Sequence, residues 1–357
     1  MGEKSIAHGA YWDCIGAKCL ALLIAVSMTL PSLARAEQTV AQVEAASGSA
    51  NVSVVRVSQQ LEVRKTKRVS ASRVRYEALH PSAGQVAGLR RTPDPLELKS
   101  SAALVVDQET NQVLYSKNAS AVLPIASLTK LMTAVVVAES KLPFDELITV
   151  SQDDVDTEKG SRSRLRVGTQ LARSEMLHLA LMASENRAAH ALGRSFPGGS
   201  EAFVAAMNSK AAALGMTDTK FVESTGLSSR NQSSARDLAT LVRAAHEHPT
   251  IREMSISPRY QVEIGRRNMS FHNTNRLVSR SDWDIELQKT GYITEAGRCL
   301  VMQANLAGRS LIMVFLDSAG KYTRLGDAER VRRWVTQSLP LVPAPVPAAS
   351  IEPKLTS

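Results

Sequence analysis

Ser127 and Lys130 stand three residues apart in Pro124-Ile125-Ala126-Ser127-Leu128-Thr129-Lys130, and an apolar run from Leu131 to Ala138 follows. The run predicts a helix buried nearly all round. On a helix the two side chains share one face, a turn apart. A serine hydroxyl attacks a carbonyl once a base takes its proton, and a lysine is such a base when burial or a nearby cation lowers its pKa. In the first helical turn, free backbone N–H groups and the helix dipole favour the negative charge that develops. The same letters recur at Ser318-Ala319-Gly320-Lys321, which reads as an ordinary turn. Spacing alone therefore does not select a nucleophile, and partners are needed.

Two later stretches supply them: Ser184-Glu185-Asn186, at a break between two helical segments, and Lys289-Thr290-Gly291, within a segment that reads as a strand. Ser-x-Asn also occurs at Ser49, Ser116 and Ser229. Of these only Ser229 falls between the other two motifs, and it lies in a loop without flanking helices, so Ser184 is preferred. Ser-x-x-Lys, Ser-Asp-Asn and Lys-Thr-Gly form the signature set of penicillin-binding proteins and class A β-lactamases, and Ser184-Glu185-Asn186 stands here in the place of the second. The sequence resembles the low-molecular-mass penicillin-binding proteins, the D-alanyl-D-alanine endopeptidase/carboxypeptidase family (serine peptidase family S11). Supporting stretches are Pro124–Lys130, Leu181–Ala189, Phe221–Leu227 and Lys289–Tyr292 with Ala296-Gly297. The resemblance spans roughly Leu96 to Leu339.

That resemblance implies an α+β fold of the serine β-lactamase/D,D-peptidase kind, an antiparallel sheet flanked by helices with a helical subdomain. It also implies roles. Ser127 attacks a peptide carbonyl and becomes acylated, Lys130 accepts its proton, and Ser184 relays a proton to the leaving amine. Asn186 holds Lys130 and the substrate amide. Lys289 adds a cation that keeps the pKa of Lys130 down and attracts a carboxylate, to which Thr290 offers its hydroxyl. Gly291 leaves room for substrate along the strand edge. The backbone N–H groups of Ser127 and Tyr292 form an oxyanion hole. Substrates are then peptidoglycan stem peptides and cross-links, and β-lactam antibiotics are covalent inhibitors. No cofactor and no metal are implied.

These residues must be positioned by a domain that opens near Leu96. Ala102–Val106 and Val113–Ser116 read as a hairpin leading into the Ser127 helix, and Leu147–Val150 as a short strand. Ser174–Met182 reads as a helix, and Ser184 or Asn186 would cap the helix after the break. Further helices fit Glu201–Leu214, Ser234–His246 and Asp327–Ser338. Strands fit Tyr260–Ile264, Ile285–Tyr292, Cys299–Leu306 and Ser310–Leu316.

At its N-terminus the sequence carries Lys4 and Lys18, a short apolar run to Leu30, Pro31, and Ala34-Arg35-Ala36. This pattern predicts a secretory signal peptide (1–36) and a periplasmic enzyme. The apolar run is too short for a comfortable membrane span, so membrane contact is at most peripheral. Residues 37–95 are basic and poor in large apolar side chains, which predicts a disordered linker. A Pro-rich tail (340–357) closes the chain.

The 357 residues carry a net charge of +9, with 4% aromatics. Without a nucleic-acid motif or stacking aromatics, the excess reads as solubility charge and no nucleic-acid partner is expected. Cys14 and Cys19 fall in the leader, which leaves Cys299 alone and reads as a core residue. His246 and His248 do not share a helix face, which argues against a metal pair. Glu185 is expected to cap or to face solvent, Arg187 to form a surface salt bridge, and His190 to be packed.

A β-lactamase of class A would need a Glu-x-x-Leu-Asn loop, whereas Glu223 is followed by Ser224-Thr225-Gly226-Leu227. A non-catalytic binding module is expected to lack Ser127 or Lys130. Between carboxypeptidase and endopeptidase, the short Pro-rich segment after Leu339 fits the shorter endopeptidase branch.

Overall fold

A computed structural model describes residues 80–338. The expected signal segment with Cys14 and Cys19, residues 37–79 of the expected linker, and the Pro-rich tail lie outside the described residues. From His80 the chain forms one helical turn, α1 (Ala83–Val86), then β1 (Ser100–Asp107), β2 (Val113–Lys117) and the short β3 (Leu123–Pro124). A 3-10 turn at Ala126–Leu128 runs straight into α2 (Thr129–Glu139). Two short strands, β4 (Leu147–Thr149) and β5 (Gln170–Ala172), pair with each other. The helices α3 (Arg173–Met182), α4 (Asn186–Arg194) and α5 (Gly199–Ala213) follow, then β6 (Gln232–Ser233), α6 (Ala235–His246) and α7 (Pro249–Ile256). A hairpin of β7 (Arg259–Ile264) and β8 (Arg267–His272) precedes β9 (Asp284–Ile293), β10 (Gly297–Leu306), β11 (Arg309–Ser318) and α8 (Thr323–Ser338).

The main sheet is antiparallel, in the order β2-β1-β11-β10-β9. Every residue of β1 is buried, as befits a strand covered on both faces. Alternate residues feed two cores. Leu104, Val301 and Val314 join the core built around α2 and α6, whereas Leu300, Met313 and Phe315 join Val331 and Val335 of α8 on the opposite face. β9 is the edge strand beside the 3-10 turn that carries Ser127, which leaves a free strand margin next to the candidate nucleophile.

Residues 80–95, expected as linker, fold onto this domain instead. Asp94 accepts hydrogen bonds from Tyr115 Oη (2.6 Å), Lys117 Nζ (3.0 Å) and the Leu96 and Leu98 backbone nitrogens. Arg90 pairs with Asp317 at 3.0 Å. The segment is anchored by polar contacts, so a scan for apolar residues passes over it. Two further elements escape a hydrophobic pattern. α7 begins with Pro249 at its first turn, where no backbone donor is needed, so that proline starts a second helix as well as ending α6. β8 is half exposed and mostly polar, and its register with β7 comes from a tight turn at Gly265-Arg266.

Candidate active site

Three elements converge on Ser127. The first is its own turn. Ala126 adopts a left-handed φ of 49°, so the chain bends sharply out of β3 and delivers Ser127 just before α2. Residues Thr129–Val137 of α2 are all buried, including Lys130. The polar side chains among them are satisfied: Thr129 Oγ1 donates to Ala126 O (2.8 Å) and Thr133 Oγ1 to Ser224 O (2.7 Å).

The second element is the break between α3 and α4. Ser184 takes a left-handed φ of 59°, uncommon for serine, which separates the helices and leaves Asn186 at the first position of α4. Neither Ser184 nor Asn186 caps α4; Glu185 occupies the cap position without a side-chain cap bond. The two side chains are thereby left to face the lysines. Glu185 itself is buried rather than solvent-facing, and it accepts a hydrogen bond from Ser163 Oγ at 2.6 Å.

The third element is β9, which carries Lys289, Thr290, Gly291 and Tyr292 in succession. A Cβ on Gly291 would lie 2.9 Å from Ile125 O and 3.1 Å from Ser127 N. The space that this glycine vacates is thus filled by the nucleophile's own turn, where the sequence reading assigned it to substrate.

Two serine–lysine pairs result. Lys130 Nζ stands 3.0 Å from Ser127 Oγ, 2.7 Å from Asn186 Oδ1 and 2.6 Å from Thr225 O. Lys289 Nζ donates to Ser184 Oγ and to Thr290 O, each at 2.9 Å. Burial brings the Lys130 amine down to about 7, against the pull of Glu223 and Glu185, which raise it. Lys289 also lies well below the ordinary lysine range, through burial first and then repulsion from Lys130 and Arg324. Burial is thus the first cause for both amines, and the repulsion between the two lysines, which is mutual, comes after it.

The arrangement around Lys130 suits a neutral amine. Asn186 Oδ1 and Thr225 O can only accept, so they take two N–H bonds. The remaining tetrahedral position faces a hydroxyl, which can donate into the nitrogen lone pair. Asn186 is oriented in turn by its Nδ2, which donates to Ser161 Oγ at 2.9 Å. Thr290 Oγ1 donates to Thr274 Oγ1 at 2.7 Å.

Sequence reasoning missed Thr225, Glu223, Ser161, Thr274 and Arg324. Glu223 accepts from Thr225 N (2.6 Å), Thr225 Oγ1 (2.6 Å), Gly226 N (2.7 Å) and Asn231 Nδ2 (2.8 Å), and so shapes the loop that brings Thr225 O to Lys130. Asn231 belongs to the rejected Ser229 motif and turns out to brace this loop from behind. Arg324, near the start of α8, has buried Nε and Nη1 atoms without a partner among the described residues. These residues act through backbone carbonyls or across long sequence separations, which no short spacing displays.

Other readings resolve plainly. Arg187 donates to Leu165 O (2.7 Å) and forms no surface salt bridge among the described residues. His190 pairs with Asp154 at 2.7 Å. His246 bonds Glu286, whereas His248 faces Glu139. Cys299 is buried, and burial pushes its thiol up to about 12. The Ser318 hydroxyl is engaged by Thr323 and Asp327, away from Lys321. No helix among the described residues is long and apolar enough to cross a membrane.

Comparison with known proteins agrees with this geometry. The profile of the S11 peptidases, described as D-alanyl-D-alanine carboxypeptidase, matches residues 89–320. The chain belongs to this family. Among relatives of this S11 peptidase, the D-alanyl-D-alanine endopeptidase of Pseudomonas aeruginosa is 48% identical over 259 residues, 72% of this chain and 84% of the relative. The D-alanyl-D-alanine endopeptidase of Escherichia coli is 42% identical over 276 residues, 77% of this chain and 88% of the relative. In fold, this S11 peptidase is similar to the crystal structure of a Streptomyces DD-transpeptidase, with a TM-score of 0.62 and 28% identity. That match covers 66% of this chain and 97% of the other.

Proposed function

We propose that this S11 peptidase is a D-alanyl-D-alanine endopeptidase that hydrolyses peptidoglycan cross-links through an acyl-enzyme on Ser127. The observation that carries the reading is the buried Lys130 Nζ, which has two carbonyl acceptors and Ser127 Oγ as its third neighbour at 3.0 Å. Neutral Lys130 takes the Ser127 proton as Oγ adds to the D-alanyl carbonyl. The backbone N–H groups of Ser127 and Tyr292 meet the oxyanion. Ser184, bonded to Lys289, passes a proton to the leaving amine. The C–N bond breaks, and water later releases the acyl group by the reverse proton path.

Substrate adds as a strand to the β9 edge. The carboxylate of the residue on the leaving side meets Thr290 and Arg324, whose Nε and Nη1 have no partner among the described residues. The relatives named endopeptidases, at 48% and 42% identity, support hydrolysis of cross-links over removal of terminal D-Ala. The N-terminal pattern supports a periplasmic location, and β-lactams are expected as covalent inhibitors of Ser127.

The test is digestion of cross-linked muropeptides followed by mass analysis. Loss of dimers without loss of terminal D-Ala from monomers is expected, and the reverse would make the enzyme a carboxypeptidase. Ser127→Ala should abolish labelling by a fluorescent penicillin; retained labelling would refute the nucleophile.

A further inference from the structure

Three cations near the C-terminal end of β9, Arg276, Arg298 and Lys321, take no part in the proposed reaction. Two neighbouring concavities, of about 190 Å³ and 330 Å³, adjoin the far end of β9, and Arg298 and Lys321 line both; together they are called the trench. It begins at Thr274, which accepts the Thr290 hydroxyl bond, passes Arg324 near the start of α8, and ends beside Tyr292.

Among the described residues, Arg276, Arg298, Lys321 and Arg324 have no carboxylate partner, although most surface arginines nearby do. Aromatic faces hold three of them in place. Arg298 lies 4.2 Å above the Tyr292 ring, and Arg276 and Lys321 lie 5.5 Å and 5.4 Å from the Tyr322 ring. Such contacts steady a cation yet leave its N–H groups available to a ligand. Tyr292 and Tyr322 are themselves 53% and 51% exposed, an apolar rim open to a peptide. The one carboxylate lining the trench, Asp317, is buried and already committed to Arg90 (3.0 Å) and Ser101 Oγ (2.5 Å). Like charges gathered without counterions repel one another, and an anion relieves the repulsion. Burial first and then Arg298 lower the Arg324 guanidinium, the sign of that repulsion.

The trench starts beside Thr290, where the proposed reaction puts the carboxylate of the leaving residue. It therefore faces whatever is attached to that residue. In simple D-Ala release nothing more is attached. In a cross-link the amine that leaves belongs to a second stem peptide, which carries further carboxylates. We infer that Arg276, Arg298 and Lys321 bind the carboxylates of that second, leaving stem peptide and so select cross-links over free D-Ala termini. The inference rests on the proposed reaction and adds no chemical step to it: the C–N bond still breaks at Ser127.

The test uses the full chain and two substrates, a cross-linked muropeptide dimer and a monomer ending in D-Ala-D-Ala. Lys321→Glu, Arg276→Glu and Arg298→Gln should each lower kcat/KM for the dimer roughly 3-fold, and the double variant Lys321→Glu/Arg298→Gln about 10-fold, as expected for partly exposed charges. Salt should inhibit dimer cleavage in the parent and much less in the double variant. Acylation by fluorescent penicillin, and whatever trace of D-Ala release from the monomer the parent shows, should stay within about 2-fold, which also shows that the variants fold. Unchanged dimer cleavage, or an equal fall on both substrates, would overturn the trench. If the parent releases D-Ala but leaves dimers intact, the endopeptidase reading fails by itself. The trench is then judged by calorimetric binding of the dimer to Ser127→Ala. Weaker binding on adding Lys321→Glu supports it, and equal binding overturns it.

Discussion

Gly226 packs directly against the peptide group of Ala126. A Cβ placed on Gly226 would lie 1.9 Å from Ala126 O and 2.8 Å from Ser127 N, and its φ of +83° is itself unfavourable for other residues. The loop that offers Thr225 O to Lys130 is thus the same loop that presses on the backbone of the nucleophile's turn. Base and nucleophile are held in register by one short segment.

Gly226→Ala should therefore damage both stability and acylation. A side chain forced to a positive φ against backbone costs about 2–5 kcal/mol. Thermal melting should show a clear drop, and penicillin labelling should fall steeply even below the new melting temperature. Near-parental labelling would mean that the loop does not set the position of Ser127.

Lys130 fixes the pH dependence. Its amine titrates at about 7, and only the neutral form accepts the Ser127 proton. The protonated form dominates below that value, so the acylation rate by benzylpenicillin should rise as pH passes upward through about 7 and then level off. A rate that is flat from pH 5 to pH 9, on the order of two units either side of the titration, would remove Lys130 as the base.

Glu223→Gln separates electrostatics from structure. Glu223 raises the Lys130 pKa, so removal of its charge should move the rising limb of the pH profile to lower pH. The amide keeps one acceptor for a site that serves several donors, so stability should fall by about 1–3 kcal/mol. A lower melting temperature with an unmoved pH profile would assign Glu223 a structural role alone.

The segment ahead of the sheet should matter to folding. Asp94→Ala leaves the Tyr115 hydroxyl without its acceptor and the buried Lys117 amine without its carboxylate, with Leu98 O as the acceptor that remains, which costs about 2–4 kcal/mol. A chain beginning at Leu96 should melt lower than one beginning at His80, whereas Ser127 in both should still react with penicillin. Equal melting temperatures would show that residues 80–95 add no stability.

Much of the site was legible because it is written in short motifs. Ser127 and Lys130 are neighbours on one turn, and Lys289, Thr290 and Gly291 are consecutive on one strand, so local spacing displays them. Apolar runs such as Leu131–Ala138 and Leu311–Leu316 announce a buried helix and strand because burial on all sides requires unbroken hydrophobic sequence. Elements with polar faces stayed hidden. β8 and the segment from His80 to Pro95 are held by a turn or by hydrogen bonds, which leave no periodic trace.

The chemistry available can be read along the chain: a serine and a lysine one turn apart, a second serine with an asparagine, and a lysine on a strand. How these groups act depends on the packing of the folded domain. It buried Lys130 so that its amine titrates near neutrality, brought Thr225 O and Asn186 Oδ1 to occupy its other bonds, and set Lys289 against Ser184. It also gathered Arg276, Arg298, Lys321 and Arg324 beside one strand end. Dielectric environment and long-range contact depend on which distant segments pack together, and no local spacing encodes that.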